Sequence, residues 1–269
     1  MKGMIRSLLM VGVLVGMAWQ PALAGEPTVS VAEQFRQQME FLQQARSLTP
    51  VQVSRDLSVY RLEGDVWLHR SFYDIGDQRL HANGLIVPGE EGITIIDSPW
   101  TPGAAYDLLD WVEANFDKPL KRLVITHAHD DRMGGIDAFI EANVMTYSLA
   151  STTSIARLKG WTGTHLVFNQ NLVLRSGDTA MELYYPGHAH APDNLVVWLP
   201  KQKILFAGCI VKSRYADGLG FTGDADKGAW PLALQHMLER YPETGLVVPG
   251  HGLPGKTELI QHTSDLLAN

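Results

Sequence analysis

Three apolar runs in this chain each break off at a residue able to bind a metal. Arg122–Ile125 is a β-branched run that stops at Thr126-His127. Phe206-Ala207-Gly208-Cys209 ends a second run with the chain's single thiol, and Val248-Pro249-Gly250-His251-Gly252 ends a third with a histidine between glycines. Short apolar runs bounded by turn residues read as buried strands, and side chains at strand-to-loop boundaries stand on a rigid scaffold where functional groups gather. A chain built this way needs sheets.

The remaining pattern agrees. Ser58–Leu62 and Val66–His69 flank the turn Glu63-Gly64-Asp65, and Gly84–Val87 and Ile93–Ile96 flank Pro88–Gly92, which predicts two hairpins. Helical spacing covers Ala104–Phe116, Gly135–Glu141, Ser151–Leu158, Gly228–Tyr241 and Lys256–Leu267. Strands fall at Val144–Tyr147, Asn194–Leu199, Ile204–Ala207 and Gly245–Val248, with Pro200–Lys203 turning between the middle pair. Sheet-forming blocks with helices interspersed in both halves imply an α/β protein whose sheets carry helices on their outer faces. No linker or repeat interrupts residues 51–269, which read as one domain. A Gln-rich helix over Val29–Arg46 makes residues 25–50 an N-terminal extension.

Residues 1–24 read as an export signal: Lys2 and Arg6, then the apolar run Leu8–Trp19, then Ala22-Leu23-Ala24 for cleavage after Ala24. That run is too short to span a bilayer comfortably. The expectation is a periplasmic protein with no membrane attachment after cleavage. Removing Lys2 and Arg6 takes the net charge from −7 to −9, and charged runs are short and mixed, so the basic footprint of a nucleic-acid binder is missing. Export makes the lone Cys209 informative. It cannot form an internal disulfide, so it is a buried thiol, an intermolecular link or a ligand.

In Thr126-His127-Ala128-His129-Asp130-Asp131-Arg132-Met133-Gly134-Gly135, His127, His129 and Asp131 are spaced by two. An extended or turning backbone can aim all three at one place, and the glycines let the chain swing away. Imidazole and carboxylate are ligands that Zn²⁺ accepts. Pro186-Gly187-His188-Ala189-His190-Ala191-Pro192-Asp193-Asn194 adds two histidines before a strand, either of which could join them. His69, His81, His165, His236 and His262 lie outside any ligand frame, and His81 is the one expected near the pocket.

The series His127, His129, Asp131, His190, Cys209, His251 resembles the metallo-β-lactamases, specifically the di-zinc subclass with one cysteine ligand. Asn83-Gly84-Leu85, Ile96-Asp97-Ser98-Pro99-Trp100 and Gly223-Asp224-Ala225-Asp226 carry the likeness further, from about Val51 onward. The resemblance implies an αβ/βα sandwich with two central mixed sheets and two zinc ions at one edge. One zinc would take His127, His129 and His190, where Pro-Asp-Asn after the ligand favours His190 over His188. The other would take Asp131, Cys209 and His251. Three neutral imidazoles leave an open position and most of the metal's charge for activating water, whereas a carboxylate and a thiolate hold a second zinc by charge and softness.

The activity implied is hydrolysis of the β-lactam amide bond by zinc-bound hydroxide, with penicillins, cephalosporins and carbapenems as substrates and resistance to them as the outcome. His127, His129 and Asp131 would be the catalytic residues, and the expected state is a monomer. Lys212 would bind the substrate carboxylate, Arg132 would orient Asp131 and Cys209 from beneath, and Asp97 and Asp224 would support the ligands. Ser71–His81 would be a mobile flap in a long loop, with Phe72 on the substrate and Trp100 forming another wall. Phe221 stands where many relatives place an asparagine, so an amide donor is missing there. Thiolesterases of the same superfamily carry a histidine and an aspartate where this chain has Arg132 and Cys209, which speaks against a lactone or thioester hydrolase. A non-catalytic zinc-binding protein is the other alternative. No Ser-x-x-Lys motif is present for a serine-acylating route.

Overall fold

The structure is a computed structural model, and it describes residues 49–268. The helix expected over Val29–Arg46 and the cleavage site after Ala24 lie outside the described residues. The elements run β1 (Val51–Ser54), β2 (Leu57–Arg61), β3 (Trp67–Ile75), β4 (Gln78–Pro88), β5 (Ile93–Ile96), α1 (Pro102–Asn115), β6 (Leu120–Val124), α2 (Asp130–Met133), α3 (Ile136–Glu141), β7 (Met145–Leu149), α4 (Ala150–Leu158) and β8 (Leu166–Phe168). They continue with β9 (Asn171–Ser176), β10 (Thr179–Tyr184), β11 (Val196–Leu199), β12 (Ile204–Gly208), α5 (Trp230–Arg240), β13 (Leu246–Pro249) and α6 (Glu258–Ala268). No helix among the described residues is long and apolar enough to cross a membrane.

β1 to β8 form an eight-stranded sheet in chain order, and β13-β12-β11-β10-β9 a five-stranded one. The first is antiparallel through β5, where short turns suffice, and parallel from β5 to β8. Parallel pairing needs crossovers, and α1, the pair α2 and α3, and α4 are those crossovers. α1 starts two residues earlier than the apolar spacing alone predicts. Thr101 Oγ1 accepts the N–H of Ala104 at 3.2 Å, and Pro102 is tolerated at the first helical position.

Side-chain alternation along the strands sorts the core into three layers. Ile86, Ile95 and Leu123 face Leu108, Val112 and Phe139 of the helices on one side. Leu85, Val87 and Val124 face Leu183, Val197 and Phe206 across the space between the sheets. Val196, Leu205 and Val247 face Trp230, Met237 and Ile260 of the helices on the far side. Two mixed sheets with helices outside both make the αβ/βα sandwich.

The segment Ser71–His81 departs from expectation. It is not a long loop. β3 runs on to Ile75 and β4 begins at Gln78, paired Phe72↔His81, Tyr73↔Leu80, Asp74↔Arg79 and Ile75↔Gln78. Gly76, at φ 58°, takes the turn that lets the ribbon reverse.

Candidate metal centre

The His127–Asp131 segment leaves the end of β6 and is fastened to its surroundings through its backbone. Thr126 donates its N–H and its hydroxyl to the two carboxylate oxygens of Asp97, at 2.8 and 2.9 Å. Asp97 itself sits at φ 61°, a conformation that few non-glycine residues adopt. The Ala128 N–H donates to Asp193 Oδ2 at 2.9 Å, and the Ala128 carbonyl accepts from Lys159 Nζ at 2.8 Å.

His127 Nε2 and His129 Nδ1 then approach to 3.0 Å, and His129 Nδ1 and His190 Nε2 to 3.2 Å. His129 turns its other nitrogen to Asp224 Oδ2 at 2.9 Å, so Nε2 donates and Nδ1 keeps its lone pair. Burial pushes the His127 imidazole well below its usual pKa and the His190 imidazole down to about 2. Neutral rings whose lone pairs converge this closely repel one another unless a cation lies among them. The group therefore fits a metal ion. His188 does not join it, because its Nε2 faces the Asp224 carbonyl at 2.9 Å.

The second group forms where β12 and β13 end beside α2. Asp131 Oδ2, Cys209 Sγ and His251 Nε2 lie 3.1–3.6 Å apart. His251 Nδ1 donates to the His81 carbonyl at 2.6 Å, and the Gly252 N–H donates to His81 Nε2 at 2.8 Å, which aims His251 Nε2 inward. Arg132, wholly buried, lies beneath. Its guanidinium donates to Asp131 Oδ2 at 2.8 Å, to Cys209 Sγ at 3.2 Å, and to the carbonyls of Gly250 and Asn83 at 2.9 and 2.6 Å. Burial alone would raise the Asp131 pKa, but Arg132 and His251 hold it well below the usual carboxylate range. A Cβ at Gly250 would come within 2.7 Å of both the guanidinium and the thiol, so only glycine fits there. A carboxylate, a thiol and an imidazole converging on one point again suit a borderline cation.

Both groups open onto one cleft of about 550 Å³. Ile75, Leu80 and Trp100 form apolar lining, and Lys212 and Phe221 stand on its walls. The Trp100 ring lies 6.2 Å from His251 and stacks on Tyr73 at 5.4 Å with planes 18° apart. Lys212 is 9% exposed, its ammonium 5.4 Å from the Trp230 ring centroid, and burial pushes its pKa down. Phe221 is 64% exposed and sets its ring edge-to-face with His129 at 5.5 Å.

Phe72 is a correction. It does not line the cleft. Alternation along β3 turns it to the other face of the ribbon, under the Arg79 guanidinium at 4.8 Å, and gives the cleft face to Ile75 and Leu80. Leu80, Lys159 and Trp161 also line the cleft and went unread in the sequence. A lysine just past a helix end and a tryptophan in a loop carry no local signal of a site.

Residues 77–251 match the metallo-β-lactamase superfamily. The chain belongs to that superfamily. It is 38% identical over 211 residues to a type 2 metallo-β-lactamase of Bacillus sp. (strain 170), covering 78% of this chain and 82% of that one. A type 2 metallo-β-lactamase of Bacillus cereus is 36% identical over the same shares. Among solved structures, a metallo-β-lactamase from Pontibacter korlensis superposes with a TM-score of 0.75 at 37% identity, covering 82% of this chain and 99% of that one. Membership makes the chain a β-lactam hydrolase of a metal-binding family, and the two donor groups are its candidate metal sites.

Proposed function

We propose that the cleft hydrolyses the amide bond of β-lactams, with two zinc ions per chain. The observation that supports this best is the pairing of a three-imidazole group with an Asp–Cys–His group on one cleft floor. His127, His129 and His190 would hold one zinc, and Asp131, Cys209 and His251 the other. Bound zinc supplies Lewis acidity, which acidifies a water molecule and polarises a carbonyl.

The chain's own residues do the positioning. Lys212 binds the substrate carboxylate, since a nearly buried ammonium on the cleft wall attracts an anion and fixes its direction. Asp131, its Oδ2 fixed by Arg132, orients the attacking water. Ile75, Leu80 and Trp100 exclude bulk water from the floor. Phe221 presents a ring and no hydrogen-bond donor to the substrate.

Carbapenem hydrolysis by the zinc-loaded protein, with and without a chelator, tests the reading. Turnover abolished by the chelator is the expected result. Absence of turnover, or turnover indifferent to the chelator, overturns it, and hydrolysis of S-lactoylglutathione in its place would assign the cleft to a thioester.

The same reading includes export, with residues 1–24 removed and residues 25–50 preceding the catalytic domain as an extension. The protein would work as a monomer in the periplasm. Intact mass of the secreted protein checks the cleavage, and a retained N-terminus would contradict it.

A further inference from the structure

The two peptide units that join His127 to His129 through Ala128 are each held by a side chain. Ala128 is buried, and its N–H donates to Asp193 Oδ2 at 2.9 Å while its carbonyl accepts from Lys159 Nζ at 2.8 Å. The same ammonium lies 3.8 Å from Asp224 Oδ2, the oxygen that accepts from His129 Nε2 at 2.9 Å. Lys159 therefore touches His129 by two routes, one through the backbone that carries the ring and one through the carboxylate that orients it.

Its own placement is well determined. Lys159 caps the C-terminus of α4, its N–H bonded to the carbonyls of Ile155 and Ala156 at 3.1 Å, and Gly160, at φ 80°, ends the helix behind it. The ammonium lies 5.3 Å from the Trp161 ring centroid, where the ring face attracts a cation. The Asp224 carbonyl is held independently by His188 Nε2 at 2.9 Å, so the carboxylate that Lys159 meets is itself on a fixed backbone.

We infer that Lys159 is a positioning residue for the three-imidazole group: it fixes the ring plane and tautomer of His129 through the Ala128 carbonyl and the Asp224 carboxylate. The inference rests on the metal assignment proposed above. Groups that orient a ligating histidine from behind commonly change metal affinity by about 10–100-fold when removed. Without the ammonium, the buried Ala128 carbonyl loses its donor and Asp224 is free to swing off His129.

Cobalt(II) titration of the metal-free protein separates the two groups, because the group containing Cys209 gives a thiolate-to-cobalt charge-transfer band and the imidazole group gives ligand-field bands alone. In Lys159→Met, which keeps the length and drops the charge, cobalt affinity of the imidazole group should fall about tenfold or more. The charge-transfer titration should stay within about twofold, and Lys159→Arg should recover most of the loss. With a carboxylate-bearing substrate, kcat should fall and KM stay within about twofold. Unchanged ligand-field titration overturns the inference. So does a KM increase with cobalt affinity intact, which would make Lys159 a substrate contact. Equal weakening of both groups with a lower melting temperature of the metal-free protein overturns it as well, as a general loss of structure. The titrations use no substrate, so they stand or fall separately from β-lactam hydrolysis.

Discussion

The Nη2 of Arg132 lies 3.2 Å from the Sγ of Cys209, at the bottom of the metal centre. The same nitrogen is 2.8 Å from Asp131 Oδ2, so one buried guanidinium faces two of the residues that would hold a zinc ion. It supplies the positive charge that lets a carboxylate and a thiol sit together out of water. Arg132→Met keeps the bulk and removes that charge, leaving Asp131 and the Asn83 and Gly250 carbonyls without their donor. Breaking a buried pair in this way costs about 3–5 kcal/mol. Denaturant unfolding of the metal-free protein should show that loss, and zinc should restore part of it by taking over the charge. A change under about 1 kcal/mol would mean that the guanidinium charge does not hold the metal-free fold together.

Cys209→Ser should separate the two groups. Only the Asp131–Cys209–His251 group contains the sulfur, so on the proposed division the zinc it would hold should be weakened far more than the zinc of the three imidazoles. Zinc content after dialysis should fall from two per chain towards one while the circular dichroism spectrum persists. Unchanged zinc content would contradict the ligand division.

Lys212→Ala should act mainly through KM, because an ion pair with the substrate carboxylate forms in ground and transition states alike. A charge-assisted contact from a largely buried ammonium contributes roughly 1.5–3 kcal/mol, or about tenfold and upward in kcat/KM. Lys212→Glu should be worse, since repulsion is added to the loss. Phe221→Asn should lower KM modestly, because the side chain at that position stands at the cleft wall. Steady-state kinetics on one penicillin and one carbapenem would decide, and a Lys212→Ala effect under about twofold would return Lys212 to a structural role.

The two faces of the β3–β4 ribbon should behave differently. Ile75→Ala and Leu80→Ala remove apolar lining from the cleft and should raise KM severalfold with little change in melting temperature. Phe72→Ala removes the ring under Arg79 and should leave KM within about twofold while loosening the ribbon. A KM effect from Phe72 as large as that from Leu80 would show that the ribbon turns over when substrate binds.

The metal-free protein should lose stability in mild acid. His69 is fully buried, and burial lowers its pKa from 6.5 to about 4 even though its Nε2 bonds the carbonyls of Ile96 and Asp97. The unfolded chain takes up this proton near 6.5 and the folded chain only near 4, so the contribution is full above pH 6.5 and fades as pH falls through that window. It amounts to about 3 kcal/mol at most. The slope of unfolding free energy against pH should drop by one proton in His69→Gln, measured against the parent between pH 4.5 and 6.5. An unaltered slope would place the titration in other histidines.

Much of the centre was legible along the chain. Apolar runs ending at His127, Cys209 and His251 announced strands with chemistry at their tips, because burial demands apolar runs and only their ends can carry polar ligands. The spacing of His127, His129 and Asp131 marked a local cluster of donors, but Asp131 lies in α2 and joins Cys209 and His251, while the two histidines stay together with His190. Other features depended on contacts that spacing does not encode. Which of His188 and His190 joins the imidazoles was settled by the neighbour His188 finds, the Asp224 carbonyl 36 residues away. Phe72 lost the cleft to Leu80 because ribbon pairing replaced a loop, and pairing sends adjacent side chains to opposite faces. Lys159 meets Ala128 across 31 residues, and Arg132 meets Gly250 across 118. Periodicity tells a residue which face of its own element it occupies. Only the packing of two sheets against each other decides what stands opposite that face.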